Sequence, residues 1–242
     1  MLTRKLFTYA LCASLFLGLP SSCIDWEDDP EDTEKGNSKE EGENHGSKND
    51  ETQKGDDPNQ KEEDKSEENS SNLSLAKQCA QLINEIRKDP QAYGRKVGID
   101  LEYVQPMPAL KWNDMLASVA QSKAQDMADR NYFDHVDLEG YGINIRINEA
   151  GYELEPSWYS SKHLNYFESL HAGTNSTDPA YVVYDLILDK SISDVAEKGH
   201  RNHLLGITDW NSSLYDIGVG HGYSQRSTYK HYWSIIIAKH SW

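Results

Sequence analysis

Two long segments of the chain carry apolar residues at the spacing of an α-helix. Across residues 74–88 the apolar positions fall at i, i+4, i+7, i+8 and i+11, on one helix face: Leu75, Cys79, Leu82, Ile83 and Ile86. A second helix is predicted from Asn113, a favourable N-cap residue, to about Arg130. Its inner face consists of Leu116, Val119, Ala120, Ala124 and Met127. Both segments predict helices that pack one apolar face against a core.

Two shorter helices are predicted in the second half of the chain. The first begins near Thr177 with Pro179 in its first turn. Its inward-facing residues are Ala180, Val183, Leu186 and Ile187. The second covers residues 197–205 and closes at Gly206, since glycine readily adopts the left-handed conformation at a helix C-terminus.

The end of the chain predicts two strands. Residues 216–221 alternate apolar side chains with glycine, and residues 232–240 carry apolar side chains on both faces. The polar residues 224–230 join them as a hairpin. A strand that is apolar on both faces is typical of a central strand covered on both sides. Helices before and between strands then predict an α/β fold, a three-layer α/β/α sandwich.

Charge divides the 242-residue chain into three parts. Residues 1–22 hold two basic and no acidic residues, whereas residues 24–71 hold nineteen acidic and six basic ones. We therefore predict a leader at residues 1–22, a disordered acidic tether at residues 23–71, and a folded domain at residues 72–242. The net charge of −16 argues against nucleic-acid binding, because the chain lacks the excess of cations that neutralises phosphates.

The leader has the features of an exported lipoprotein. Arg4 and Lys5 precede a fourteen-residue apolar run, which is too short to span a bilayer and typical of a signal peptide. Small residues then precede Cys23 as in a lipobox, although Pro20 stands where leucine is usual. We expect Cys23 to be lipidated and to anchor the protein to the cell envelope, at the outer membrane or cell surface. The alternative is ordinary secretory cleavage, which would leave Cys23 a thiol.

The cysteines do not indicate a disulfide scaffold. Cys12 lies in the leader, and Cys79 is the one thiol of the predicted domain. We expect Cys79 to be a small buried apolar residue. If Cys23 is not lipidated, a bond between Cys23 and Cys79 becomes possible.

Five polar residues are candidates for chemistry: His135, Glu168, Asp189, His200 and His203. His200 and His203 lie three residues apart on a predicted helix, so their side chains can share a face. Two imidazoles with nearby carboxylates suit zinc or a similar divalent ion. The alternative is that one histidine caps the helix or bonds a backbone carbonyl. The chain contains no HExxH, Gly-rich phosphate loop or GxSxG motif that would specify a reaction.

An ordered set of short motifs runs from about Leu75 to Lys239, nearly the whole predicted domain. The motifs are LKWN at 110–113, AQDMA at 124–128, NYFDH at 131–135, AGY at 150–152, ESL at 168–170, GHR at 199–201, IGVG at 217–220 and YW at 232–233. This set resembles the CAP superfamily, also called SCP-like, which includes cysteine-rich secretory proteins, insect antigen 5 and plant pathogenesis-related proteins. The resemblance implies an α/β/α sandwich with a cleft of two histidines and two acids that binds divalent metal in some members.

The resemblance also assigns the residues of this cleft. His135 matches the histidine after the NYF segment, Glu168 the acid of the family's Gly-Glu-Asn motif, and His200 the histidine of Gly-His-Arg. Asp189 is our choice for the second acid, with Asp194 as a rival because the stretch before His200 is long.

Four departures from the family pattern concern the same region. Ser169 stands in place of the Asn of Gly-Glu-Asn, and Leu186 in place of a usual tryptophan. His203 replaces an asparagine and would add a third imidazole to the metal ligands. The segment 153–167 is unusual, and we expect either a lid or wall of the cleft or an insertion packed on the surface.

Two functions follow from these observations. The first is a lipid-anchored surface module whose metal-capable cleft binds a small ligand, a lipid or a protein partner, as the family resemblance favours. The second is a hydrolase, in which a metal held by His135, His200 and an acid activates water, or the tetrad polarises a hydroxyl such as Ser169.

Overall fold

The computed structural model describes residues 58–190 and 198–241. The predicted leader, Cys23 and most of the predicted tether lie outside these residues. Within the described ranges, no helix combines the length and the apolar character needed to cross a lipid bilayer.

The described residues form helices and one mixed sheet. The helices are α1 (Pro58–Lys88), α2 (Pro90–Val97), α3 (Asp114–Arg130), α4 (Ile143–Glu149), α5 (Pro179–Leu188), α6 (Gly199–Leu205) and α7 (Asp209–Ser212), with a 3₁₀ helix at Pro156–Tyr159. The strands are β1 (Lys111–Trp112), β2 (Glu168–Gly173), β3 (Asp216–Tyr223) and β4 (His231–Ala238).

The predicted second helix is confirmed as α3, and its ends show why. The side chain of Asn113 accepts hydrogen bonds from the backbone N–H groups of Met115 and Leu116. Asn131 ends the helix in the left-handed conformation, which asparagine tolerates better than most residues. His135 follows four residues later and is therefore held close to this helix end.

Helix α1 begins at Pro58, sixteen residues before the predicted start at residue 74. Residues 58–71, which the sequence analysis assigns to the tether, form the first part of this helix. The added residues are rich in Glu and Lys, which are good helix formers even without an apolar face. Extending a packed helix also needs no new nucleus, so the missing hydrophobic period does not prevent it.

The four strands lie in the order β1-β3-β4-β2. Strand β4 pairs antiparallel with both β3 and β2, which confirms the predicted hairpin and the central position of its second strand. Strand β1 pairs parallel with β3 through only two residues, which is too short to give a strand pattern in the sequence. Strand β2 lies at the opposite edge of the sheet, and its first residue is Glu168.

Glycines on β3 let α3 approach one face of the sheet very closely. A Cβ atom built on Gly218, Gly220 or Gly222 would lie 2.2 to 2.3 Å from backbone atoms of α3. No side chain fits in that space, so backbone packs on backbone. Helices α1, α5 and α6 form the layer on the opposite face, which gives the predicted α/β/α sandwich.

The main hydrophobic core lies between the sheet and the layer of α1, α5 and α6. Trp233 is completely buried and donates its indole N–H to the carbonyl of Ser176. Cys79 is also completely buried, as predicted, and burial raises the pKa of its thiol to about 12. Cys79 is thus an unreactive packing residue.

Candidate functional site

A cleft of about 300 Å³ lies where edge strand β2 begins. Its lining residues come from five places: the loop after α3, the segment leading into β2, strand β2 itself, helix α6 and helix α7. They are His135, Asn165, Tyr166, Glu168, Ser169, Gly199, His200, His203 and Asn211. The cleft lies at this place because consecutive side chains of strand β2 point to opposite faces of the sheet. Neighbouring residues of β2 therefore reach both helical layers.

His135 and Glu168 form the first pair of residues in the cleft. The Nδ1 atom of His135 lies 2.9 Å from Oε2 of Glu168. The other carboxylate oxygen of Glu168 accepts a hydrogen bond of 2.7 Å from the hydroxyl of Ser234. The Glu168 side chain is fully buried, whereas that of His135 is 35% exposed. The acid is therefore fixed within the protein and the imidazole faces the cleft.

The second pair consists of His200 and Asp189. Asp189 accepts hydrogen bonds from both the backbone N–H of His200, at 3.1 Å, and its Nδ1 atom, at 3.3 Å. The Asp189 side chain is buried, while that of His200 is 38% exposed. Burial by itself would raise the pKa of the Asp189 carboxyl, but hydrogen bonding and charge from His200 and Lys198 lower it overall.

Residues at the end of α5 and around the start of α6 hold this second pair in place. Asp189 ends α5 in the left-handed conformation, with φ of 46°. The ammonium group of Lys198 donates to the carbonyls of Leu188 and Asp189, and Arg201 donates to the carbonyls of Ile187 and Leu188. These bonds satisfy the last carbonyls of α5 and anchor the start of α6 beside them.

His203 belongs to a third arrangement at the floor of the cleft. Its Nδ1 atom lies 2.8 Å from the hydroxyl oxygen of Ser169, and its Nε2 atom lies 3.5 Å from the carbonyl oxygen of Ile237. Burial, together with the charges of His200 and His135, lowers the pKa of His203 to about 4. Both ring nitrogens have partners within the protein, so His203 is placed differently from His135 and His200, and its role as a third metal ligand stays a prediction.

The structure brings the four predicted residues to one cleft as two separate pairs. His135, Glu168 and His200 line it directly, and Asp189 contacts it through His200. Asp194, the rival for the second acid, lies outside the described residues. Among the residues that are described, no three His, Cys, Asp or Glu side chains converge closely enough to form a metal cluster.

The segment 153–167 contributes a wall of the cleft. Trp158 of its 3₁₀ helix packs edge-on against Phe167 and Trp210. Asn165 and Tyr166 line the cleft, and the Tyr166 side chain stays substantially exposed. The carbonyl of Tyr166 accepts a hydrogen bond from the indole of Trp210.

Sequence reasoning missed two residues that position Glu168. Asn165 accepts hydrogen bonds from the backbone N–H groups of Phe167 and Glu168 and donates to the carbonyl of Glu168. Ser234 is completely buried in β4 and donates to the carboxylate. A lone serine inside an otherwise apolar strand was the signal for Ser234, whereas an asparagine in a loop gives no such signal.

The chemistry of the cleft follows from the orientation of its two exposed imidazoles. Each uses Nδ1 to bond a buried carboxylate, which fixes the orientation of the ring. Within the described residues, the Nε2 atoms of His135 and His200 have no hydrogen-bond partner. The arrangement therefore directs two Nε2 atoms, one from each imidazole, toward a ligand in the cleft.

Several solved structures resemble the chain. An extracellular protein containing an SCP domain from Bacillus anthracis is 20% identical over 68% of this chain, with a TM-score of 0.38, and this chain covers 42% of that protein. An outer surface protein of Borrelia burgdorferi is 15% identical over 68% of this chain and 95% of its own, with a TM-score of 0.42. Venom allergen-like protein 4 of Schistosoma mansoni is 13% identical over 69% of this chain and 86% of its own, with a TM-score of 0.38. The chain thus spans less than half of the Bacillus protein.

Sequence comparison gives a family. No curated protein gives a significant match to the chain. The sequence model of the CAP family, described as the cysteine-rich secretory protein family, matches residues 80–237. These residues include both His–acid pairs and all four strands except the last residue of β4. The match covers well over half of the chain, and the chain therefore belongs to the CAP family.

Proposed function

We propose that the chain is an exported, lipid-anchored binding module whose cleft takes a divalent metal between His135 and His200. The bound metal would hold a small ligand, a lipid or a protein segment. The observation that carries the proposal is the pairing of each exposed imidazole with a buried carboxylate. This is the usual arrangement of metal-ligating histidines, in which the acid orients the ring through its second nitrogen.

The donor set fits a borderline metal such as zinc better than a hard cation. Calcium and magnesium prefer oxygen ligands, whereas imidazole suits zinc. The carboxylates of Glu168 and Asp189 are engaged behind the rings, so the protein offers two nitrogen ligands and leaves further positions to water or a ligand oxygen. A bound metal would supply a positive charge that polarises a carbonyl or anionic oxygen of the ligand.

Calorimetry with zinc tests the metal site. The full-length chain is expected to bind zinc, and the double variant His135→Ala/His200→Ala is expected to lose that binding. The single variant His163→Ala removes an exposed histidine outside the cleft and serves as the matched control. Equal heats for the wild type and the double variant would remove the metal from the proposal.

Anchoring rests on the leader and is tested separately. The apolar run followed by small residues and Cys23 supports export and acylation. Fractionation of cells that express Cys23→Ala should move the protein from the membrane to the soluble fraction, while Cys79→Ala, which alters a buried cysteine, should stay with the membrane. Membrane retention of Cys23→Ala would contradict lipidation.

A further inference from the structure

Ser169 and His203 come from different layers of the fold and meet at the floor of the cleft. Ser169 is the second residue of strand β2, and His203 lies on helix α6. The distance of 2.8 Å between Oγ and Nδ1 is that of a serine nucleophile and its general base. Neither residue belongs to the two His–acid pairs described above.

The second nitrogen of His203 fixes the tautomer that this role needs. The carbonyl of Ile237 can only accept, so Nε2 must carry the proton in the long bond of 3.5 Å. In a neutral imidazole Nδ1 then has the lone pair and accepts the proton of the Ser169 hydroxyl. The backbone carbonyl thus takes the orienting position that a carboxylate occupies in a Ser-His-Asp triad.

The surroundings of the pair allow only small substrates to reach it. Ser169 and His203 line the cleft, but Ser169 is 1% exposed, so a substrate must extend a slim group to the floor. The volume of about 300 Å³ lies at the lower end of small-molecule sites. The imidazoles of His135 and His200 line the same space.

We propose that Ser169 is a nucleophile, with His203 as its general base, for acyl transfer from small carboxylic esters. Oγ attacks the ester carbonyl carbon while its proton passes to Nδ1 of His203. The bond to the alkoxy group then breaks, and His203 returns the proton to the departing alcohol. Water then attacks the acyl carbonyl carbon and passes a proton to Nδ1 of His203. The bond from that carbon to Oγ breaks, His203 returns the proton to Oγ, and the carboxylic acid leaves. The bonds and protons balance without a metal, so this activity is independent of the function proposed above.

Labelling with a small fluorophosphonate tests the nucleophile. The reagent is attacked by an activated serine, loses fluoride and leaves a stable adduct that mass spectrometry locates. In the full-length chain with EDTA present, we expect one adduct, on Ser169. His203→Asn should slow its formation by about 10²- to 10⁴-fold, the usual contribution of a general base. Ser169→Ala should abolish it.

The control is Ser227→Ala, which removes a largely buried hydroxyl that donates to the carbonyl of Ser224, outside the cleft. It should label like the wild type. Localisation of the adduct in the wild type stands even if a variant fails to fold. An unmodified Ser169 under conditions that label a reference serine hydrolase would overturn the proposal, and so would an unchanged rate in a folded His203→Asn variant. Because EDTA is present, neither result bears on zinc binding.

Discussion

Asp189 shows how one residue can join a helix end to the candidate site. Its backbone closes α5 in a conformation that glycine or asparagine usually supplies, while its carboxylate bonds twice to His200. Glycine would satisfy the backbone but would give up the carboxylate. A non-glycine residue at a positive φ destabilises the fold by about 1 kcal/mol. Asp189 is present despite this cost because its carboxylate orients the His200 imidazole.

Asp189→Asn separates these two roles. Asparagine tolerates the left-handed conformation, so we expect the free energy of unfolding to fall by no more than about 1–2 kcal/mol. The negative charge behind His200 is lost, and we expect zinc affinity to fall by about 10- to 100-fold. Calorimetry on the variant measures this change. Asp185→Asn is the matched control, since Asp185 bonds His171 away from the cleft, and an equal loss there would contradict the assignment.

For single residues, the sequence predicted which residues share the site better than it predicted the hydrogen bonds that they make. The resemblance placed His135, Glu168 and His200 in one site, and the structure brings them together. The helical spacing indicated that His203 can share a face with His200, but it did not predict the two hydrogen bonds of the His203 ring. Such bonds depend on which side chain lies opposite in space, and a single sequence does not give that information.

Among the elements, the pair α3 and β3 is the most closely packed. The glycines of β3 leave no room for a Cβ atom between the strand and the helix backbone. Helix α3 in turn ends five residues before His135, so its position on the sheet helps to set the position of that imidazole.

Gly220→Ala tests the importance of this close approach. The new Cβ would lie 2.2 Å from the α3 backbone, which cannot move away as a flexible side chain could. We expect the free energy of unfolding to fall by about 3 kcal/mol or more, at or above the usual cost of overpacking. Urea unfolding measures it. Gly199→Ala adds the same methyl group where nothing lies within 4 Å, so a similar loss there would contradict the packing explanation.

The elements that the sequence predicted correctly are those with a clear period or cap. Helix α3 has both, and the hairpin of β3 and β4 has alternation on one strand and apolar residues on both faces of the other. The short strand β1 and the start of α1 gave no such signal. The sequence did not predict strand β2, because polar residues such as Glu168 and His171 interrupt its apolar pattern. These side chains are buried because each has a hydrogen-bond partner within the protein.

Across the whole molecule, two buried histidines make stability depend on pH. Burial and neighbouring charge lower the pKa of both His203 and His221 to about 4, whereas unfolded histidines titrate near 6.5. Between these values the unfolded chain binds more protons than the folded one. Stability therefore falls as the pH drops from about 6.5 to about 4, by up to about 3 kcal/mol for each histidine.

Urea unfolding at pH 7.5 and pH 4.5 measures this dependence. The wild type should lose stability at the lower pH, and His203→Asn should lose less because one of the two groups no longer titrates. His163→Gln, which replaces an exposed histidine, should keep the wild-type slope. The same free energy of unfolding at both pH values would show that these histidines are not held neutral.

For the whole molecule, the sequence predicts the architecture correctly. The ordered motifs indicated the CAP family and its α/β/α sandwich, and both are confirmed. Composition alone does not predict the start of α1, because the acidic, apolar-poor residues 58–71 form part of that helix. Low hydrophobicity excludes a packed core but does not exclude a helix that continues from one.

Glu168 and Ser169, neighbours on strand β2, face opposite sides of the sheet, so the cleft is lined by residues from both helical layers. Glu168 joins the layer of α3 through His135, and the opposite layer reaches the same cleft through His200 on α6. Any ion or molecule that binds both imidazoles would act as a cross-link between the two layers. Binding should therefore slow the deuterium exchange of backbone amides in both α3 and α6, relative to the free protein. This joint change is expected although the two helices are separated by almost seventy residues of chain.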